Sequence, residues 1–199
     1  MASPSDSIVR HDIPDRDIEK NAAEIDKLLR ATGRPGIDAF ADWLKTTDFY
    51  TAPASSKFHL NCVGGLAAHS LNVYHALRDL VERGLVKLDD DTVVITSLLH
   101  DLCKANFYRK ERRPVFADGE TREHEVWVID DPFPVGHGEK SCYYVQRYIQ
   151  LTEEEYAMIR LHMGSGGGYP DPYTASAMIH PGVTALHIAD MTAAGLVER

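Results

Sequence analysis

The chain has 199 residues, of which 44% are hydrophobic, and its formal net charge is −9. This length suffices for one substantial buried core and does not require two. Affinity for nucleic acid rests largely on neutralising phosphates with Lys and Arg, so the acidic balance argues against long nucleic acid as a partner. The acidic charge does not exclude a small anionic substrate.

The cysteines and the apolar segments indicate the compartment. Cys62, Cys103 and Cys142 are odd in number and contain no CxxC pair, so we expect no disulfide framework and a reducing environment. No run of about 18 apolar residues exists, and the first residues lack the pattern of a signal peptide. We therefore expect a soluble cytoplasmic protein without a membrane partner.

The order of elements predicts one helical domain. Residues 1–14 carry little apolar periodicity and predict a flexible N-terminal tail, whereas 15–199 form the domain. Apolar residues recur at helical spacing through most of that domain, separated by Gly and Pro. The predicted helices are 17–29, 36–45, 66–81, 89 to about 102, 138–149, 152–162 and one that starts at Pro181.

Three of these helices have start signals. The run Asp89-Asp90-Asp91 offers N-capping carboxylates. Thr152 followed three residues later by Glu155 matches a capping box. Pro181 suits the first turn of the last helix, which carries Asp190.

Residues 106–130 differ from the rest of the chain. Aromatic and β-branched residues flank Asp118-Gly119, which predicts a β-hairpin inserted around residues 107–129. The basic stretch 109–113 lies in this segment. It is either a solvated turn or strand, or a rim that attracts phosphate to a cleft.

Metal-ligating side chains recur beside small residues or at predicted helix ends, where there is room for an ion. In the adjacent pair His100-Asp101, the imidazole and one carboxylate oxygen can serve one metal while the other oxygen reaches a second. Five other histidines are expected to be ordinary surface or core residues: His11, His59, His75, His124 and His180. His187, one turn before Asp190, either faces the same cleft or packs behind it. The candidate ligands are His69, His100, Asp101, His137, His162 and Asp190.

The segment from Ser97 to Lys104, SLLHDLCK, is similar to the helix that gives the HD superfamily of metal-dependent phosphohydrolases its name. With His69 before it and Asp190 after it, the resemblance covers about residues 64–195. It implies an all-α HD-domain bundle, here with the small hairpin insertion. It also implies that His69, His100, Asp101 and Asp190 bind one metal. By position, His137 and His162 would bind a second ion, bridged to the first through Asp101.

The chemistry implied by the resemblance is hydrolysis. Imidazole and carboxylate ligands together suit Fe, Mn, Co, Ni or Zn better than Mg or Ca. Two such ions activate a water that cleaves a phosphoester of a nucleotide or another small phosphorylated substrate. Asp101 and Lys104 are the expected catalytic residues. Lys104 would either reach a phosphate oxygen or be a surface lysine at a helix end.

Three rival functions share these residues. The same six ligands resemble those of the mixed-valence di-iron oxygenases, which activate O₂ on the same fold. A non-catalytic module that binds a nucleotide in the cleft is a second alternative. Gly168-Tyr169-Pro170 spells the tripeptide of the branch that hydrolyses cyclic dinucleotides. In that branch a second His and a Glu directly follow the histidine that corresponds to His162. Met163 and Gly164 occupy these two positions here, so the tripeptide is interpreted as a coincidence.

Overall fold

The computed structural model describes residues 13–117, 119–165 and 171–198. Most of these residues are helical, as predicted. Among them, no helix is both long and apolar enough to cross a membrane. The Gly168-Tyr169-Pro170 tripeptide and most of the expected N-terminal tail lie outside the described residues. The helices are α1 (Asp15–Ala31), α2 (Ile37–Leu44), α3 (Gly65–Glu82), α4 (Asp90–Leu99), α5 (His137–Gln146), α6 (Glu153–Leu161), α7 (Pro172–Ile179) and α8 (Pro181–Thr192).

Two short helical turns extend this framework. A 3₁₀ turn, Leu102–Lys104, follows α4, and a π-helical turn, Ala193–Val197, follows α8. The predicted 89–102 helix is thus interrupted at His100 and Asp101, where Asp101 takes φ −100° and ψ 17°. This is the sparsely populated bridge region in which many active-site residues are found.

The predicted hairpin is confirmed as β1 (Tyr108–Ala117) paired antiparallel with β2 (Glu120–Ile129). Its base is fixed where the chain leaves the helical bundle. The backbone N–H of Asn106 donates to the Asp48 carboxylate at 2.5 Å, and the N–H of Asp48 donates to the Asn106 side chain at 3.2 Å. Asn106 has φ 54°, a left-handed conformation that Asn tolerates better than most residues.

The core consists of two apolar clusters that α3 joins. One cluster packs α1 and α2 against α4 and α5 and includes Phe40 and Leu98, and the other packs α3 against α6 and α8 and includes Leu77 and Leu186. Almost the whole of α4 is buried, and two of its hydroxyl groups, those of Thr96 and Ser97, donate to carbonyl oxygens of the same helix. The Thr96 hydroxyl, for instance, donates to the Thr92 carbonyl at 2.7 Å. Apolar side chains of both clusters therefore surround α4 up to its last residue, Leu99.

The start signals are only partly reproduced. The capping box is confirmed: Thr152 accepts from the Glu155 N–H, and the Glu155 carboxylate accepts from the Thr152 N–H, an arrangement worth about 1 kcal/mol. The Asp89 side chain, in contrast, makes no capping hydrogen bond. Its neighbours Asp90 and Asp91 form ion pairs with arginines instead, so capping by this run was a wrong prediction.

Candidate metal centre

Helix ends bring the candidate ligands together. His69 lies near the start of α3, and His100 and Asp101 follow the last residue of α4. The other three are supplied by the second half of the bundle: His137 is the first residue of α5, His162 follows α6, and Asp190 lies in α8.

Two glycines allow the backbone segments beside the ligands to come close together. A Cβ placed on Gly65, in the first turn of α3, would lie 2.1 Å from the Leu60 carbonyl oxygen. A Cβ on Gly138, beside His137, would lie 2.2 Å from the Arg160 carbonyl oxygen of α6. Only glycine fits at either position. The small residues that accompanied the candidate ligands in the sequence therefore have a steric role.

Asp101 stands at the middle of the cluster, and its two oxygens face different histidines. Oδ1 lies 2.5 Å from His137 Nε2 and 3.5 Å from His162 Nε2. Oδ2 lies 3.6 Å from Nε2 of both His69 and His100.

Asp190 completes the Oδ2 side. Its Oδ1 is 3.2 Å from His69 Nε2 and 3.9 Å from His100 Nε2, and these two ring nitrogens are 3.3 Å apart. We call His69, His100 and Asp190 the α3/α8 group and His137 and His162 the α5/α6 group. Asp101 is thus the side chain that both groups contact.

Two of the histidines have a defined tautomer. His100 Nδ1 lies 2.8 Å from the Ser97 carbonyl oxygen, and His162 Nδ1 lies 2.7 Å from the Ile159 carbonyl oxygen. A carbonyl oxygen only accepts, so we assign the ring proton to Nδ1 in both residues. The lone pair of Nε2 then points into the cluster.

The other two rings are held by side chains. His69 Nδ1 lies 3.0 Å from Glu198 Oε1, and His137 Nδ1 lies 3.4 Å from Cys103 Sγ. Sequence reasoning missed the roles of both Glu198 and Cys103. All four imidazoles therefore turn Nε2 toward the centre.

The two histidines of the α3/α8 group have pKa values that are shifted in opposite directions. Burial lowers the pKa of His100 to about 3, so this ring stays neutral. Burial also opposes the charge of His69, but its hydrogen bonds to Asp190 and Glu198 outweigh that effect and raise its pKa to about 9. Without metal, a proton on His69 thus balances the carboxylates around it.

Lys104 is part of the cluster. Its Nζ donates to Asp101 Oδ2 at 2.6 Å, and only 13% of its side chain is exposed, so the surface interpretation was wrong. Burial disfavours both charges, but the attraction between them raises the pKa of Lys104 and holds that of Asp101 well below its usual value.

These residues fit a divalent transition metal. The Nε2 atom of His162 is buried without a hydrogen-bond partner among the described residues. It faces a region where the lone pairs of neutral imidazoles and the oxygens of Asp101 and Asp190 converge. Buried acceptors need a hydrogen-bond donor or a cation, and mixed nitrogen and oxygen ligands suit the transition metals.

The basic stretch 109–113 forms half of β1, and acidic side chains neutralise much of its charge. Arg109 contacts Glu111 at 3.1 Å and Asp130 at 3.4 Å, and Arg113 contacts Glu111 at 3.0 Å. The solvated-strand interpretation therefore describes these residues better than a phosphate-attracting rim.

Comparison with known families agrees with this geometry. The family model of the HD domain matches residues 66–195, well over half of the chain. The chain belongs to the HD domain family. HD domains are typically metal-dependent hydrolases, and the cluster contains side chains suited to such a metal. Neither the curated proteins nor the solved structures compared with the chain include a match.

Proposed function

We propose that this HD domain is a metal-dependent phosphohydrolase that cleaves a phosphoester of a nucleotide or another small phosphorylated substrate. Its six ligands would hold two divalent ions of Fe, Mn, Co, Ni or Zn. The observation that carries this proposal is the placement of Asp101, whose Oδ2 faces the α3/α8 group and whose Oδ1 faces the α5/α6 group.

Each ligand group would hold one of the two ions. The α3/α8 group would hold one ion with Asp101 Oδ2, and the α5/α6 group would hold the other with Asp101 Oδ1. When bound, such a pair of ions lowers the pKa of a water molecule and offsets the charge of a phosphate oxygen. The protein would therefore need no side-chain nucleophile.

Lys104 supplies the positive charge nearest to the shared carboxylate. A divalent ion at Asp101 Oδ2 would take over the role of Lys104 as counter-charge there, which leaves its ammonium group free to donate to a phosphate oxygen. A cation placed where negative charge develops in the transition state lowers the barrier without reorganisation.

The exposed fractions of the ligands indicate where substrate enters. The His137 side chain is 33% exposed, whereas those of His69, His100 and His162 are at most 1% exposed. His137 is therefore the ligand nearest to solvent. The net charge of −9 and the neutralised basic stretch favour a small phosphorylated molecule over long nucleic acid.

Metal content and hydrolysis measured together test this proposal. Protein purified without oxygen is analysed for metal, loaded with Mn²⁺, Co²⁺, Fe²⁺, Ni²⁺ or Zn²⁺, and assayed on bis-p-nitrophenyl phosphate and a panel of nucleotides. We expect metal-dependent release of phosphate or nitrophenol. His69→Ala should abolish it. His75→Ala is the matched control, because His75 lies on the same helix and is exposed.

Two outcomes would overturn the proposal. Tightly bound iron with substrate-coupled O₂ consumption and no hydrolysis would identify the di-iron oxygenase alternative. Nucleotide binding without metal and without turnover would identify a non-catalytic module.

A further inference from the structure

A buried carboxylate stands behind His69, on the side of the ring that faces away from the proposed metals. The two oxygens of Glu198 lie 3.0 and 3.2 Å from His69 Nδ1, and the Glu198 side chain is 1% exposed. We propose that Glu198 is a positioning residue that sets the orientation and tautomer of His69 for metal binding. This inference rests on the proposed metal centre.

One segment of the chain contacts both nitrogens of this ring. Asp190 in α8 lies 3.2 Å from His69 Nε2, and the π-helical turn that follows α8 brings Glu198 to Nδ1. The turn is closed by the Glu198 N–H, which donates to the Ala193 carbonyl at 3.1 Å. Because of this wide turn, Asp190 and Glu198 come from one segment and still reach opposite edges of the His69 ring.

Asn72 fixes the carboxylate in turn. Its Nδ2 donates to Glu198 Oε1 at 3.0 Å, and it lies one helical turn after His69 on α3. Glu198 therefore has two donors on the same helix, one from the histidine ring and one from the amide. This arrangement restricts the carboxylate to one orientation.

The chemical effect of the contact follows from what a carboxylate accepts. An ionised acceptor at Nδ1 keeps a proton on Nδ1, so a neutral His69 offers its Nε2 lone pair to a cation. The negative charge also makes that lone pair more basic. The carbonyl acceptors behind His100 and His162 fix the tautomer in the same way but carry no formal charge.

His59 raises a competing interpretation. Its Nε2 lies 3.9 Å from Glu198 Oε2 and its ring centre is 4.8 Å from that of His69, so His59, His69 and Glu198 could form a separate cation site. A cation there would need the Nδ1 lone pair of His69. His69 would then have to lose both ring protons to serve the main centre as well. The positioning role requires the loss of only one.

The test compares Co²⁺ binding to wild type, Glu198→Gln, Glu198→Ala and Asn72→Ala. Exposed Glu82 at the end of α3 supplies the control, Glu82→Gln. We expect Glu198→Ala to weaken Co²⁺ binding by about 10–100-fold, the usual effect of losing a residue behind a metal ligand. Glu198→Gln keeps an acceptor oxygen and should lose less, as should Asn72→Ala. The control should bind like wild type.

The visible absorption of Co²⁺ at saturation separates positioning from plain stability. A carboxylate that orients a ligand changes the band energies and intensities when it is removed, even when all ions are bound. Bands and affinity equal to wild type in Glu198→Gln and Glu198→Ala, with only a lower melting temperature, would overturn the positioning role alone.

Two further results distinguish the remaining possibilities. Loss of one equivalent of Co²⁺ from both Glu198→Ala and His59→Ala, with two equivalents still bound as in wild type, would assign Glu198 to a separate site with His59 and overturn the inference. Wild-type protein that binds no Co²⁺ or other divalent metal would overturn both the inference and the proposed function.

Discussion

The two ligand groups on either side of Asp101 differ in their negative charge and in the hydrogen-bond partners of their histidines. The α3/α8 group contains its own carboxylate, Asp190, and a charged acceptor behind His69. The α5/α6 group contains only imidazoles, and the ring of His137 is backed by the weakly hydrogen-bonding thiol of Cys103. The proposed metal position of the α3/α8 group is therefore the richer in negative charge, whereas that of the α5/α6 group includes the most exposed ligand, His137, and depends on the shared carboxylate.

The largest expected effect comes from removing what both groups share. Asp101→Asn takes away the charge that serves both positions while preserving the shape of the side chain. We expect loss of nearly all bound metal and of hydrolysis, measured by elemental analysis and the nitrophenol assay. Turnover that persists in a metal-depleted Asp101→Asn protein would contradict the proposed site.

Single histidine variants separate the two positions. We expect His162→Ala to keep about one metal ion per chain, because Asp190, His69, His100 and Asp101 Oδ2 remain for the first position. His100→Ala should lose metal from the better-provided position and have the lower total affinity. Elemental analysis after dialysis against graded chelator distinguishes them. Equal losses in both variants would show that the two groups do not act separately.

Lys104→Ala tests catalysis apart from metal binding. We expect both ions to stay bound, while turnover falls about 100-fold, the usual cost of removing one group that stabilises transition-state charge. Turnover and metal content are measured on the same sample. If metal is lost together with activity, Lys104 acts on the site through Asp101 rather than on substrate.

The raised pKa of His69 predicts how pH affects the metal-free protein. The pKa of this residue rises from the ordinary 6.5 to about 9 in the folded state, so its contribution to stability is full below pH 6.5 and is lost as pH rises through 9. We expect the free energy of unfolding, measured by urea titration, to decrease over this interval. His69→Gln should remove this part of the pH dependence. An unchanged pH dependence in that variant would contradict the assignment.

The smallest effect is expected at the thiol of the α5/α6 group. Burial raises the pKa of Cys103 to about 12, so it stays a neutral thiol behind His137 and contributes little to the orientation of the ring. Cys103→Ala should change Co²⁺ affinity by only a few fold, less than Glu198→Ala. An effect as large as that of Glu198→Ala would mean that the two groups are supported equally well.

The sequence indicated which candidate ligands lie together better than it indicated which side chains position them. The candidate ligands stand beside glycines and helix ends, which are local signals, and the structure brings all six together. Glu198 lies 129 residues from His69, and neither composition nor periodicity connects two such distant positions. His59 was set aside as an ordinary histidine for the same reason, although its ring packs against His69.

Two features of the fold were also hidden from the sequence. Helix α7 was not predicted because none of its residues is buried, so it lacks the apolar periodicity that identifies a helix. The break in the chain at Asp101 was not predicted either. The helical spacing of apolar residues continues through Leu98 and Leu99 to Leu102, and only the backbone conformation reveals that the doublet lies in a turn rather than inside the helix.

The contact at Gly138 fixes the distance between two of the candidate ligands. With only hydrogen on its α-carbon, this residue lets α5 rest against the backbone of α6, where any side chain would collide with the Arg160 carbonyl. His137 is anchored on one of these helices and His162 at the end of the other. The spacing between the two imidazoles is therefore set by rigid main chain rather than by adjustable side chains. An alanine at this position would act as a wedge, separating the ligands while leaving every ligand in the sequence.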